Sequence, residues 1–181
     1  MNDVWWLAQG VGLGALLVNC GAFLFKSRQA IIGLQILSSG IWAFHFGLLD
    51  AQTAVAMNLL GMVRQGVFFF RVRHGWAASR WWPVGFCFAF LVGGFLSWQS
   101  LSSLLPIAAM LIGTIAVWQI ETWKLRLLCM IPPPLWFSYN FLYGSLAGML
   151  AEGIILSVQA VGYLMHERKG RFQSKRSPRN G

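Results

Sequence analysis

Long apolar runs are the feature that most constrains this chain. About 20 mostly apolar residues cross the hydrocarbon core of a bilayer as one helix. This length predicts seven spans, at residues 4–25, 30–49, 51–70, 81–98, 103–119, 125–143 and 145–165. Hydrophobic residues make up 57% of the chain and charged residues only 10%, a balance that argues against a soluble core of this size. The sequence therefore predicts an all-α, multi-pass membrane protein.

Basic residues predict the orientation of these spans. Thirteen of the 14 Lys and Arg residues fall at joints on one face of a seven-span arrangement, or in the tail. The opposite face carries Asp3 and Asp50 and no basic residue. By the positive-inside rule the N-terminus lies outside and the C-terminus inside. We expect the net charge of +9 to reflect this orientation and the attraction of the basic tail to anionic lipid, with no nucleic-acid partner.

Loop lengths sort the predicted helices into groups of three, one and three. Shifting the first group by 94 positions pairs residues of similar type: Trp42 with Trp136, His45 with Tyr139, Asn58 with Glu152, and Gln65 with Gln159. A second copy in the same orientation needs one extra crossing, which helix 4 supplies. The pattern predicts two parallel repeats (3+1+3), at 1–73 and 101–166, with a linker over 74–100 and a disordered basic tail over 167–181.

The third predicted span carries polar and charged residues through its middle. Asn58, Arg64 and Gln65 all lie within 51–70. A charge at that depth costs several kcal/mol unless it has a partner or a water-filled cavity, and it commonly marks a functional pathway. Arg64 lies about 120° around the helix from Asn58, which predicts a position at the rim of such a cavity.

The matched helices supply the other candidate residues for binding a ligand. Glu152 and Gln159 repeat the seven-residue spacing of Asn58 and Gln65. An aromatic wall with a few polar groups suits a small polar ligand. On the second and sixth helices the candidates for that wall are Trp42, His45, Trp136 and Tyr139.

Each candidate also has a purely structural interpretation. The amides of Asn58, Gln65 and Gln159 can join neighbouring helices by hydrogen bonds. Arg64 and Glu152 can form an ion pair, and Glu152 can instead accept a proton. His45 can be a hydrogen-bonded core residue, and the two tryptophans can be packing residues. The run Pro132–Pro134 must break or kink the sixth helix, because proline removes a donor and clashes one turn back.

Motifs of enzymes and of metal or cofactor sites are absent from the sequence. We find no His, Cys, Asp and Glu cluster with metal-ligand spacing, no GxSxG and no phosphate-binding glycine loop. The three cysteines lie singly in apolar runs. The N-terminal segment has no basic n-region and no small-residue cleavage site, so we expect no removable signal peptide. The sequence favours a non-enzyme without metal or cofactor.

Two segments carry a family resemblance. KSRQAIIGLQILSSGIWAFHFGLL and AMNLLGMVRQGVFFFR resemble the YgjV family of bacterial inner-membrane proteins, which implies an inner-membrane location. More distantly, Trp42-x-x-His45-x-Gly47 with Asn58, and Trp136-x-x-Tyr139 with Glu152, are similar to the SWEET, SemiSWEET and PQ-loop group. That resemblance implies 3+1+3 connectivity and a small-solute site containing a Trp and an Asn from each repeat.

Charge distinguishes this chain from a carrier of neutral sugars. Glu152 takes the place of the second Asn, Arg64 adds a cation, and no Pro-Gln pair follows the first helix. An anionic or zwitterionic solute fits these residues better. The sequence thus predicts a transporter of a small polar solute, compatible with a homo-oligomer. A non-transporting receptor or scaffold is the alternative, and a membrane-embedded enzyme ranks third.

Overall fold

The fold is all-α in a computed structural model that describes residues 3–22, 28–71, 74–119 and 122–176, and no strand occurs in these ranges. Short 3₁₀ turns lie at Gly75–Ala78 and Leu101–Ser103. The α-helices in the described residues are α1 (Asp3–Ala22), α2 (Arg28–Leu48), α3 (Gln52–Phe70), α4 (Trp81–Leu96), α5 (Leu104–Trp118), α6 (Thr122–Cys129), α7 (Pro132–Leu142) and α8 (Leu146–Arg176).

Six of the helices close a ring. Contacts run from α1 to α2, α3, α5, α7 and α8 in turn, and α8 returns to α1. The middle helix of each three-helix group, α2 or α7, packs on both of its neighbours, and α4 lies outside the ring against α3 and α5. The first helix of each group therefore contacts the last helix of the other, which is the arrangement expected of two copies around a central axis.

The turns after α2 and α7 have the same geometry 94 residues apart. Asp50 (φ 54°) and Gly144 (φ 66°) both adopt the left-handed conformation. The Ala51 N–H donates to Phe46 O at 2.9 Å, and the Ser145 N–H donates to Asn140 O at 2.8 Å. Each turn has a second hydrogen bond that spans fewer residues. The Asp50 N–H donates to Gly47 O at 3.2 Å, and the Gly144 N–H donates to Phe141 O at 3.3 Å. Both turns are complete Schellman motifs, so their shared offset supports the repeat independently of side-chain identity.

The proline run interrupts the sixth predicted span, as expected. The region predicted as one helix over 125–143 consists of α6 and α7, separated at Met130 and Ile131. Prolines 132–134 carry no N–H, so the carbonyls of residues 128–130 have no donor four residues on. The Met130 and Ile131 N–H groups instead close short turns onto Leu127 O and Leu128 O at 3.3 and 3.2 Å.

The ends of the chain differ from the predicted boundaries. α8 continues to Arg176, through residues 167–176 of the tail that the sequence predicts to be disordered. Once a helix is nucleated, each added residue needs to gain only one further backbone hydrogen bond, which lets a polar segment extend it. The predicted end of the first span at 25, the basic residues Lys26 and Arg73, and tail residues 177–181 lie outside the described residues.

Length and composition agree with a membrane location. Asp3–Gly21, Gln52–Phe70 and Leu101–Trp118 are each long and apolar enough to cross a bilayer. Ile32–Leu48, Trp81–Leu96 and Leu146–Val161 are shorter apolar helices. Many large apolar side chains on these helices are exposed, for example Leu17, Phe88 and Val158. Such exposure is expected where a helix faces lipid and not water.

Candidate functional site

A cavity of about 250 Å³ lies inside the helical ring. Its lining comes from both three-helix groups: Asn19, Gln35, Ser38, Ser39, Trp42, Phe46, Asn58, Gly61, Arg64, Gln65, Met110, Trp136, Asn140, Gly148, Ala151, Glu152 and Ile155. The two charged groups in this set are Arg64 and Glu152, so the lining combines one basic and one acidic side chain with amides, hydroxyls and aromatic rings.

The structure brings six of the nine predicted ligand residues to this cavity. They are Trp42, Asn58, Arg64, Gln65, Trp136 and Glu152. Asn58 and Glu152 each lie seven residues after the left-handed turn's last residue, Ala51 or Ser145, and therefore about 10 Å along α3 and α8. The residues paired by the 94-position shift thus lie at equal depths.

His45 does not line the cavity, because its ring is engaged in the core. It is fully buried, with Nδ1 at 2.7 Å from Ala8 O and Nε2 at 2.7 Å from Ser145 Oγ. A carbonyl only accepts, so Nδ1–H is the donor to Ala8. The neutral ring then accepts from the Ser145 hydroxyl, whose oxygen also accepts from the Gly148 N–H at 3.1 Å. This geometry matches the hydrogen-bonded core interpretation of His45.

Tyr139 and Gln159 also lie outside the cavity lining. Tyr139 is buried against aromatic neighbours, with its ring centroid 4.5 Å from that of Tyr143 and 6.0 Å from that of Trp136. Gln159 lies two turns beyond Glu152 on α8, and its buried Oε1 has no hydrogen-bond partner in the described residues. Neither His45 nor Tyr139 therefore lines the cavity. Of the second pair, Gln65 lines it and Gln159 does not.

Arg64 reaches from α3 towards α4 and α5. Its guanidinium donates to Thr114 Oγ1 at 2.6 Å, and Thr114 in turn donates to Met110 O at 2.7 Å. The guanidinium carbon lies 5.5 Å from the Phe90 ring centroid, within the range of a cation–π contact. Arg64 therefore has neutral partners on one side and the cavity on the other, in keeping with the predicted position at a rim.

Glu152 has no such support. The residue is half-buried, and within the described ranges its carboxyl makes no hydrogen bond or ion pair. The structural ion pair with Arg64 is thus not formed: both side chains line one cavity from different groups of helices, without contact between them. A buried carboxyl without a protein partner is costly, so this site requires water, a proton or a ligand.

Eleven of the 17 lining residues were absent from the predicted set, and two of these form a further matched pair. Phe46 on α2 and Asn140 on α7 both face the cavity, and they are again 94 positions apart. Gly148 makes room for Asn140, because a Cβ at that glycine would overlap the Asn140 amide. The repeat offset already contained this signal, but Phe and Asn differ too much in chemistry for a comparison of residue types to pair them.

The end of the bundle nearest the two Schellman turns, here called the turn end, is closed by hydrogen bonds between the groups. The Trp5 indole and the Gln9 amide both donate to Gly144 O at 3.1 Å, and the Ala147 N–H donates to Gln9 Oε1 at 3.1 Å. His45 adds its links to α1 and Ser145. These contacts join α1 and α2 to the turn between α7 and α8 and to the start of α8.

The comparisons with known proteins decide the family. Residues 6–169 match the family Imp-YgjV, described as bacterial inner membrane protein. The chain belongs to this YgjV family. It is 25% identical over 162 residues to the inner membrane protein YgjV of Escherichia coli K12, which covers 88% of this chain and 84% of that relative. No solved structure matches the chain.

Membership in the YgjV family locates the chain in the bacterial inner membrane, in agreement with its apolar helices. The matched region contains every residue that lines the cavity. Neither match extends to the SWEET and PQ-loop group, so that similarity stays a resemblance in the quoted residues.

Proposed function

We propose that this YgjV-family protein carries a small polar, anionic or zwitterionic solute across the inner membrane by alternating access. One observation supports the proposal above all others: a cavity lies between two groups of helices, with Arg64 on one group and Glu152 on the other, and the two side chains do not pair with each other. A carrier needs a site whose polar groups are satisfied by the solute, set between elements that can rock against each other.

The proposed topology has seven spans, with α6 and α7 together forming the sixth. The N-terminus is outside and the C-terminus inside, so the turn end faces outwards and the basic residues near the C-terminus meet anionic lipid. In this orientation the sealed turn end is the outer gate, closed by the His45 and Gly144 contacts. The proposal includes no catalytic step and no nucleic-acid partner, and it is compatible with a homo-oligomer.

Matched residues of the two groups support the alternating mechanism. Trp42 and Trp136, and Asn58 and Glu152, line the cavity as pairs. The left-handed turns at Asp50 and Gly144 give both groups the same connection at the outer end. Opening that end requires breaking a few inter-group hydrogen bonds, whereas the helices themselves stay intact. Such rigid-body rocking is how repeat-based transporters expose one site to both sides.

The test is uptake by purified full-length protein in proteoliposomes, with labelled amino acids, organic acids and sugars as probes. We expect uptake of at least one charged probe, and a loss of about tenfold or more in Arg64→Ala and Glu152→Gln. Ser157→Ala is the matched control, because Ser157 is exposed on α8 outside the cavity and bonds only Gly153 O of its own helix. Ligand binding by the wild type without uptake of any probe would favour the receptor alternative.

A further inference from the structure

The unpaired polar atoms of the cavity are predominantly acceptors. Within the described residues, Glu152 has no partner, and the buried Asn140 Oδ1 and Gln65 Oε1 receive no hydrogen bond. All three residues line the same space. A neutral site would be expected to satisfy such oxygens internally, since a buried acceptor without a donor costs about 1–3 kcal/mol. The missing component is therefore a group rich in N–H donors.

Several donors of the lining are, by contrast, bonded within the protein. Arg64 donates to Thr114, and the Gln65 Nε2 donates to Ser39 Oγ at 3.3 Å. Asn58 Nδ2 donates to Ala54 O at 2.9 Å, and Ser38 Oγ donates to Ala15 O at 3.0 Å. Among the described residues one of the five N–H groups of Arg64 is bonded in this way, so a solute carboxylate can still bind the guanidinium, whereas the Glu152 carboxyl has no donor.

Local geometry gathers two of these acceptors. Gly148 and Glu152 are four residues apart and share one face of α8. Side chains on a helix lean towards its N-terminus, so Glu152 lies over the turn that contains Gly148. The Asn140 amide occupies the space that a Gly148 side chain would fill. The Glu152 carboxylate and the Asn140 carbonyl oxygen consequently face the same part of the cavity.

Aromatic rings form another part of the cavity lining. Phe46 and Trp136 stack with centroids 5.8 Å apart and an interplanar angle of 26°, and Trp42 lies 5.9 Å from Phe46. All three rings line the cavity. The face of an aromatic ring attracts a cation, and tryptophan does so most strongly. A carboxylate and an amide oxygen facing aromatic rings form the kind of environment that an ammonium group requires.

We propose that the cavity binds a small solute through a primary ammonium group, held between Glu152, Asn140 Oδ1 and the Trp42–Phe46–Trp136 wall. A zwitterion also supplies a carboxylate for Arg64, so this inference narrows the anionic or zwitterionic solute of the proposed function to one that carries an ammonium group. The inference depends on the proposed function for the claim that this solute crosses the membrane. Binding itself depends on the cavity alone.

The test is calorimetric binding by the full-length protein in detergent, using three probes of one shape. L-alanine carries both charges, isopropylamine replaces the carboxylate by methyl, and L-lactate replaces the ammonium by hydroxyl. We expect L-alanine and isopropylamine to bind and L-lactate to bind at least about tenfold more weakly. Equal binding of L-lactate and L-alanine, or no binding of either amine, would overturn the proposal.

Variants locate the site. Glu152→Gln should weaken both amine probes about tenfold or more, Glu152→Asp should restore part of the affinity, and Ser157→Ala should leave it unchanged. Trp136→Leu, which keeps an apolar side chain but removes the ring, tests the wall independently and should weaken isopropylamine. Unaltered amine binding in both Glu152→Gln and Trp136→Leu contradicts the proposed site.

Binding and transport can fail separately. Amine binding in detergent without uptake into proteoliposomes would refute the transporter and leave the ammonium site standing. Uptake of L-lactate with no amine binding would do the reverse.

Discussion

His45 is fully buried and Glu152 is half-buried, and both lie where the two groups of helices meet, yet their surroundings differ. The two ring nitrogens of His45 each have a partner at 2.7 Å, on α1 and at the start of α8. Glu152, two turns further along α8, has none in the described part of the chain. The first arrangement leaves no ring nitrogen without a partner and holds the turn end together. The second is costly unless something enters the cavity, so hydrogen-bond satisfaction separates the structural residue from the binding residue.

Replacing the satisfied residue should give the largest loss of stability. His45→Leu leaves Ala8 O and Ser145 Oγ without their partner, and we expect the free energy of unfolding to fall by about 2–4 kcal/mol. Thermal or denaturant unfolding in detergent measures it. His74→Leu is the control, since His74 is exposed. Equal free energies of unfolding for the two variants would show that His45 does not hold the turn end together.

Crowding the contact between α1 and α8 should have the next largest effect on stability. A Cβ at Gly12 would lie 2.7 Å from Ala147 Cβ and 2.9 Å from His45 Nδ1, so Gly12→Ala must push α1 away from α8. We expect a loss of about 1–3 kcal/mol in the same unfolding assay. Gly10→Ala, where no atom lies within 4 Å, is matched in helix and substitution and should be neutral. Destabilisation by Gly10→Ala alone would contradict the close approach.

Replacing the unsatisfied residue should change stability in the opposite direction. Glu152→Gln removes a buried charge that has no partner, so we expect the free energy of unfolding to stay constant or rise by about 1 kcal/mol. Unfolding in the absence of ligand is the measurement, because a bound solute would stabilise the wild type selectively. A fall comparable with that of His45→Leu would show that Glu152 is a structural residue.

The smallest effect should come from the two equivalent turns. Asp50→Gly relieves a left-handed conformation that glycine adopts freely, and we expect a gain of about 0.5 kcal/mol. Gly144→Ala should cost about 1 kcal/mol, since its Cβ would meet only Trp5 Nε1 at an ordinary 3.6 Å and the backbone conformation supplies the penalty. Differential scanning calorimetry of the pair checks both signs. Effects of the same sign would argue against equivalent turns.

Helix content and the main candidate residues followed from the sequence because both depend on local rules. Apolar length predicts a helical span, a proline run predicts its break, and charge in an apolar helix predicts a functional site. Arg64, Asn58 and Glu152, which those rules selected, line one cavity in the structure. The spacing of 94 also located both aromatic wall residues, Trp42 and Trp136, although only their equivalent positions distinguished them from the other tryptophans.

What the sequence lacked was information about partners. His45 and Tyr139 have side chains that could bind a ligand. Only their contacts in the structure, of His45 with Ala8 and Ser145 and of Tyr139 with Tyr143, show that both pack in the core. Asn140 was missed for the converse reason, because the space it needs is created by Gly148 on another helix. Whether a polar side chain is bonded depends on helices distant in sequence, which no periodicity encodes.

The proline break between α6 and α7 has a consequence for the size of the solute. Trp136 and Asn140 lie on α7, an eleven-residue helix that begins with three prolines. These prolines have no N–H to donate to the carbonyls of residues 128–130. Tilting this segment about Met130 and Ile131 displaces both side chains relative to Trp42 and Asn58 without breaking an α-helical hydrogen bond. We expect such a tilt to change the width of the cavity near Trp136 and Asn140, which would place tolerance of a bulkier solute on a different helix from Glu152.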